Sequence, residues 1–152
     1  MNMDLLSLKK EYELKKEKIQ NRLKDFEEVF NKGNREIFEE LCFCILTPNT
    51  SARMSINAID SLKPVLYAGK LQELQESLKR SGYRYPNIRA EYLVEVRNFI
   101  KNKLKFQLKE KILLFKDKED TRDYFVNNIK GINYKEASHF LRNIGLKGYC
   151  II

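Results

Sequence analysis

The hydrophobic positions of the N-terminal part of the chain recur with a helical period. They lie three, four or seven residues apart and alternate with Lys and Glu. The apolar residues are Leu5, Leu8, Tyr12, Ile19, Leu23, Phe26 and Phe30. This spacing places their side chains on one face of a helix. The pattern therefore predicts a long amphipathic helix over residues 4–30.

Similar apolar stripes predict six more helices further along the chain. They cover approximately residues 37–47, 51–67, 71–81, 88–104, 120–129 and 134–145. Apolar side chains surround most of the first of these, as in a helix at the centre of a fold, and Pro48 ends it. Thr50 or Ser51 is the expected N-cap of the following helix. Asp120 or Thr121 is expected to cap the helix over 120–129.

The predicted helix over 88–104 has an apolar face and a basic face. Leu93 and Val96 are expected to point inward, and Arg89 and Arg97 outward. The segment 105–116 is predicted to be helical or irregular, because a single short strand would have no partner elsewhere in the sequence. We therefore expect an all-α fold, with residues 1–152 forming a single helical domain.

Charge and composition narrow the class of partner. Lys and Arg number 29 against 21 Asp and Glu, and a formal charge of +8 on 152 residues favours polyanions, above all nucleic acid. The longest apolar run, Leu41–Leu46, is far shorter than the roughly 20 residues of a membrane span. Charges precede any apolar stretch long enough for a signal peptide. We expect a cytoplasmic monomer that does not bind membranes.

The cysteines carry no recognisable metal pattern. Cys42, Cys44 and Cys150 are odd in number, and no Cys-x-x-Cys or His spacing surrounds them. Free cysteine is often buried as a small hydrophobic residue. We expect these cysteines to be buried, and we expect no metal site formed by side chains.

The most informative stretch is IKGINYKEASHFLRNIG, residues 129–145, in which a short turn joins two predicted helices. It resembles the helix-hairpin-helix motif, whose pattern is apolar-x-Gly-apolar-Gly-x-x-Ala. The matching residues are Ile129, Gly131, Ile132 and Ala137, while Asn133 stands where the second Gly belongs. Because Asn tolerates a positive φ better than other non-glycine residues, the turn remains possible.

A helix-hairpin-helix turn has a physical use in binding DNA. Successive backbone N–H groups at a helix N-terminus point outward and can bind a phosphate. We therefore expect Lys130, Gly131, Ile132 and Asn133 to contact the DNA backbone. The motif implies no organic cofactor, although the carbonyls of the turn can hold an alkali ion.

In the glycosylase branch of this motif a lysine follows the hairpin, and Lys135 occupies that position. Together with the upstream segment LCFCILTPNTSA, the stretch resembles the second class of 8-oxoguanine DNA glycosylase/AP lyases in the helix-hairpin-helix glycosylase superfamily. The resemblance covers the chain from about residue 36 onward. It implies that Lys135 is the catalytic nucleophile and that Asn49 is the wedge pushed toward the base pair. The loop near Arg84 and Tyr85 would face the lesion strand.

The resemblance also implies that part of the family fold is missing. The superfamily has an essential aspartate directly after a short apolar run that follows the hairpin. That run is Tyr149–Ile152, where the sequence ends. We therefore expect a truncated chain that lacks this aspartate and the C-terminal helices, and that is impaired on an intact lesion.

The chemistry expected of Lys135 follows from general principles. A bifunctional glycosylase needs an amine that attacks the deoxyribose C1′ and forms a Schiff base, which allows elimination of the 3′-phosphate. The amine must be neutral, and the positive end of a helix dipole disfavours its charge by up to about 1 kcal/mol. Partial burial would favour the neutral amine further. Glu136 would oppose this effect.

The expected function is therefore base-excision repair, in which 8-oxoguanine is removed from duplex DNA and the strand is cleaved at the abasic site. The substrate would be duplex DNA that contains an oxidised guanine or an abasic site. Two alternatives come from other classes. One is a non-catalytic helix-hairpin-helix module that binds DNA, and the other is a basic helical scaffold that binds RNA or a protein.

Overall fold

The computed structural model describes the backbone of residues 2–149 and the side chains of residues 5–149, so Cys150 and the last two residues of the apolar run lie outside it. Eight helices and no strand occur in residues 2–149. They are α1 (Asn2–Lys32), α2 (Asn34–Leu46), α3 (Ala52–Leu62), α4 (Leu71–Arg80), α5 (Pro86–Lys103), α6 (Leu108–Leu113), α7 (Lys118–Asn128) and α8 (Tyr134–Asn143). The all-α prediction is confirmed.

Helix α2 lies at the centre of the fold, as its apolar circumference predicts. It contacts α1, α3, α5, α6 and α8. Ile37, Phe38, Leu41 and Ile45 are completely buried. Cys42 and Cys44 are free and buried among them, and burial raises the pKa of both thiols. These two cysteines therefore act as core residues, as expected.

The long N-terminal helix packs against the rest of the fold only near its end. Val29 and Phe30 contact the core, whereas Leu5, Leu8 and Leu14 are at least 59% exposed. In the described part of the chain no helix is long and apolar enough to cross a membrane.

Two helix boundaries differ from the sequence prediction. Helix α3 ends at Leu62 rather than near Tyr67, and turns follow around Pro64, which cannot continue the helical hydrogen bonds. Helix α7 begins at Lys118, because the Asp117 side chain accepts a 2.8 Å hydrogen bond from the Glu119 amide. Asp120 and Thr121 therefore lie inside the helix, and the cap expected there is wrong.

Other terminal signals are confirmed. The Ser51 hydroxyl accepts a 3.1 Å hydrogen bond from the Met54 amide and caps α3. Gly82, with a φ of 79°, follows α4 and provides the left-handed residue that ends it. The segment 105–116 contains the short helix α6.

The prediction that Arg89 faces solvent is wrong. Its side chain is 9% exposed and lies against the C-terminal end of α2. Helical periodicity placed Arg89 on the polar face of α5, but the first turn of that helix is covered by the end of α2 and by the loop after it. Arg97 is half-buried, and its guanidinium donates a 3.1 Å hydrogen bond to the Leu66 carbonyl.

Candidate active site

The segment between α7 and α8 forms the predicted hairpin. Ile129 and Ile132 are buried at 2% and 6% exposure, and Ala137 is completely buried between the helices. Gly131 has a φ of 89°, and a Cβ there would lie 2.7 Å from Cδ2 of Tyr92. The turn therefore needs glycine both for its backbone conformation and for the space beside Tyr92.

Asn133 is part of the hairpin, but for a different reason from the one the motif suggests. Its φ is −109°, so it does not adopt the positive φ expected for a residue that replaces glycine. Instead it caps α8: its side-chain oxygen accepts a 2.9 Å hydrogen bond from the Tyr134 amide. The Glu136 carboxylate accepts a 3.0 Å bond from the Asn133 amide and completes a capping box.

The backbone of the turn has unused hydrogen-bonding groups. Among the described residues, no protein acceptor takes the amide protons of Lys130 or Gly131. Likewise, no donor in that part of the chain reaches the carbonyls of residues 130–132. The Ile132 amide is directed at the Ile129 carbonyl and closes the turn. Two consecutive free amides beside a helix N-terminus are a suitable site for an anion such as phosphate.

Replacing Gly131 should damage both stability and DNA binding. Gly131→Ala adds strain at a positive φ and a clash with Tyr92, so we expect it to lower the free energy of unfolding by about 1–3 kcal/mol. Gly82→Ala is the matched control, because its φ is 79° but no atom lies within 4 Å of the added Cβ. Urea denaturation should show the larger loss for Gly131→Ala; equal losses would exclude a role for the Tyr92 contact.

Lys135 is the second residue of α8 and lines a cleft of about 710 Å³. Its side chain is exposed rather than partly buried. The wall of the cleft comes from α1, α8 and the segment between α2 and α3, which includes Asn49. The fold thus brings the predicted nucleophile and the predicted wedge to the same cleft.

Asn49 lies at the tip of the loop between α2 and α3. It is exposed and has a φ of 60°, a left-handed conformation that Asn tolerates better than most residues. Hydrogen bonds from neighbouring hydroxyls fix the loop on both sides. Thr47 Oγ1 donates to the Cys44 carbonyl at 2.9 Å, and Thr50 Oγ1 donates to the Leu46 carbonyl at 2.9 Å. A short, rigid loop therefore presents the Asn49 side chain to solvent.

The other predicted DNA contacts lie outside the cleft. Arg84 is exposed and stacks 5.4 Å from the centre of the half-buried Tyr85 ring, in the loop before α5. Lys130 pairs with Glu95 at 3.7 Å and lies 5.6 Å above the Tyr92 ring. The candidate residues thus form three groups: the cleft, the Arg84–Tyr85 loop and the hairpin turn.

Sequence reasoning gave no role to two residues of the cleft, His139 and Arg142. Arg142 Nη2 lies 3.0 Å from Nδ1 of His139. Because arginine can only donate, Nδ1 must accept, and the imidazole proton is on Nε2. Burial lowers the pKa of His139, and the nearby charges of Arg142 and Lys135 lower it further. In the sequence His139 and Arg142 stand one and two helical turns after Lys135, but this spacing does not show their hydrogen bond.

The described residues contain no group of three or more His, Cys, Asp or Glu side chains that could hold a metal ion. The cleft itself contains the amine of Lys135 and the imidazole of His139.

Comparison with known proteins places this geometry in a family. A family model described as 8-oxoguanine DNA glycosylase matches residues 19–152. The 8-oxoguanine DNA glycosylase/AP lyase of Methanocaldococcus jannaschii is 41% identical over 97% of this chain and 70% of its own length. That of Korarchaeum cryptofilum is 41% identical over 90% of this chain and 62% of its own length.

Solved structures show the same fold. The 8-oxoguanine DNA glycosylase of Thermotoga maritima matches with a TM-score of 0.85 and 35% identity, over 100% of this chain and 70% of that one. The M. jannaschii enzyme in complex with a 15mer DNA containing 8-oxoguanine matches with a TM-score of 0.84 and 40% identity, over 97% of this chain and 70% of that one. The predicted helix-hairpin-helix glycosylase fold is confirmed, and the chain spans about two thirds of the length of these relatives. The chain belongs to the 8-oxoguanine DNA glycosylase family.

Proposed function

We propose that this protein acts in base-excision DNA repair: it removes 8-oxoguanine from duplex DNA and cleaves the strand at the abasic site through a Schiff base on Lys135. The observation that carries the proposal is the cleft, which Lys135 and Asn49 line together. An amine at a helix N-terminus that lines the same cleft as a rigid loop tip suits attack on a nucleotide held out of the duplex.

The hairpin turn would bind the DNA backbone. The free amides of Lys130 and Gly131 can donate to phosphate oxygens, and the N-terminal dipole of α8 favours the negative charge. The carbonyls of residues 130–132 accept no hydrogen bond within the described chain, so they suit an alkali ion, which would add positive charge beside the phosphate. This contact would fix the DNA strand next to Lys135.

The loop tip would supply the group that replaces the extruded base. Unstacking a base costs a few kcal/mol, and a side chain that fills the gap offsets part of that cost. Asn49 is exposed on a loop held by two threonine hydroxyls, so it can enter the duplex without first being ordered. Arg84 and Tyr85 would contact the strand beside it.

The chemical steps use the Lys135 amine. Its neutral Nζ attacks C1′, and a C–N bond forms as the glycosidic bond breaks and the base leaves. The nitrogen then loses a proton and its lone pair forms the C1′=N bond as the C1′–O4′ bond breaks; the ring oxygen takes up a proton, and the sugar opens to give the imine. Removal of a C2′ proton next expels the 3′-phosphate by breaking the C3′–O bond, which cleaves the strand. At a preformed abasic site the base has already gone, and the amine attacks the aldehyde directly.

We also propose that the protein acts in the cytoplasm and that its lesion is 8-oxoguanine. Free, buried Cys42 and Cys44 suit the reducing cytoplasm. The relative in complex with DNA containing 8-oxoguanine supports that base as the lesion.

Duplexes that differ in one base provide a test of the lesion. We expect the protein to bind a duplex with 8-oxoguanine more tightly than the same duplex with guanine, uracil or an alkylated base. Competition between labelled and unlabelled duplexes measures this order. Equal affinity for all four duplexes would contradict the assignment to 8-oxoguanine.

Binding to undamaged duplex should be sensitive to salt, because phosphate contacts release counterions. We expect Lys130→Gln to reduce the slope of log K against log salt by about one. Lys63→Gln is the matched control, since Lys63 pairs with Asp60 at 3.3 Å much as Lys130 pairs with Glu95. An unchanged slope for Lys130→Gln would show that Lys130 does not contact the DNA backbone.

Preference for RNA over duplex DNA would favour a nucleic-acid scaffold instead of a repair enzyme.

A further inference from the structure

The most deeply buried charge near the candidate site belongs to Arg89, to which sequence periodicity assigned no role. Its guanidinium makes three hydrogen bonds: Nη1 donates to the Ile45 carbonyl at 2.8 Å and to the Tyr83 hydroxyl at 3.2 Å. Nη2 donates to the Pro48 carbonyl at 2.9 Å. The side chain is 9% exposed.

Arg89 has no acidic partner within the described residues. The four ion pairs found there are all formed by other cations at the surface. Its charge is balanced by carbonyl oxygens at the negative C-terminal end of α2. Burying a charge without an opposite charge is costly, so the arrangement calls for a specific explanation.

The hydrogen bonds of Arg89 join the two loops that the proposed function brings to DNA. One acceptor is the Pro48 carbonyl, which belongs to the peptide that leads into the left-handed Asn49. Another is Tyr83, whose own hydroxyl donates to the Leu46 carbonyl at 2.6 Å and whose pKa burial raises to about 12. The guanidinium also lies 5.1 Å from the centre of the Tyr85 ring.

We propose that Arg89 is a positioning residue for base extrusion: it holds the Asn49 loop and the Tyr83–Tyr85 loop as one rigid unit. This inference rests on the proposed function. Fixing the Pro48 carbonyl sets the orientation of the peptide before Asn49, and stacking on Tyr85 places that ring relative to the loop. The wedge is then already ordered when DNA binds, so less conformational entropy is lost in opening the base pair.

The test compares two DNA substrates that differ in their need for a wedge. A preformed abasic site in a duplex must be extruded, whereas the same site in a single strand has no partner strand to separate from. The measured quantity is the rate of borohydride-trapped adduct on each. We expect Arg89→Met to slow trapping on the duplex by about 10- to 100-fold and on the single strand by about twofold or less.

Two further variants make the comparison specific. Arg97→Met is the control, because Arg97 lies on the same helix and also donates to a backbone carbonyl, but of Leu66 in another loop. It should leave the duplex-to-single-strand ratio unchanged. Arg89→Lys retains the charge with fewer hydrogen bonds, so its ratio should lie between those of the parent and Arg89→Met. If Arg89→Met fails to fold by circular dichroism, Arg89→Lys takes its place, and an unchanged ratio overturns the proposal.

The outcomes separate the positioning role from the proposed function. Equal losses on both substrates, or no loss on either, would overturn the positioning role. A parent protein that traps neither substrate would overturn the proposed function, and the positioning role with it. If the ratio of the trapping rate on duplex to that on single strand falls for Arg89→Met but not for Arg97→Met, the result supports both the positioning role and the proposed function.

Discussion

Lys135→Gln is expected to abolish strand cleavage at a preformed abasic site. Glutamine has nearly the length of lysine but carries no nucleophilic amine, so the imine that precedes elimination cannot form. We expect the cleavage rate to fall by roughly 1000-fold or more, as is usual when a covalent nucleophile is removed. Gel electrophoresis of an end-labelled duplex measures the loss.

The control for this variant is Lys130→Gln, in the turn before α8. Both lysines are exposed and lie within one hairpin, so both variants remove one charge from the same part of the surface. Lys130→Gln should weaken binding yet cleave at saturating protein concentration. Cleavage by Lys135→Gln at the parent rate would show that another amine is the nucleophile.

Phe140→Ala should have the largest effect on stability. Phe140 is completely buried on the inner face of α8, with its ring centre 5.0 Å from that of Phe125 on α7. Removal of a buried phenyl ring leaves a cavity and costs about 3–5 kcal/mol, which is a large part of the 5–15 kcal/mol typical of a domain. Because Phe140 packs α8 against α7, its removal also disturbs the helix that carries Lys135.

Urea denaturation measures the free energy of unfolding of Phe140→Ala and of a control at the surface. The control is Leu14→Ala, because Leu14 is 85% exposed. We expect it to change the free energy of unfolding by about 0.5 kcal/mol or less. A loss for Phe140→Ala no larger than that for Leu14→Ala would contradict the packing of α7 on α8.

Much of the fold follows from local patterns in the sequence. Helical periodicity predicts the helices and the central position of α2, whose apolar circumference can be satisfied only by burial on all sides. The hairpin is also local, because Gly131, Ile132 and Ala137 define it within a few residues. Helices and tight turns can be predicted from the sequence because the interactions that form them join residues close together in the chain.

Sequence patterns did not predict features that depend on contacts between residues far apart in the chain. They also failed where several neighbouring residues could fill the same structural role. Arg89 lies on the polar face of α5 by periodicity, yet the end of α2 covers it and provides its acceptors. Asn133 was correctly placed in the turn, but its side chain caps α8 instead of allowing a positive φ. For α7, the expected cap was Asp120 or Thr121, but Asp117 caps the helix three residues earlier.

Some residues of the candidate site could be identified from the sequence, and others could not. A motif identifies Lys135, and the segment after α2 suggests Asn49, but only the fold places both at one cleft. His139 and Arg142 could not be assigned, because their hydrogen bond and the lowered pKa of His139 depend on burial within that cleft.

Locating the covalent bond tests directly whether Lys135 is the nucleophile. Borohydride reduction of the protein with duplex DNA containing an abasic site, followed by protease and nuclease digestion, yields a modified peptide for mass spectrometry. We expect the sugar remnant on Nζ of Lys135. A remnant on Lys130, on the N-terminal amine or on any other lysine, with Lys135 unmodified, would contradict it.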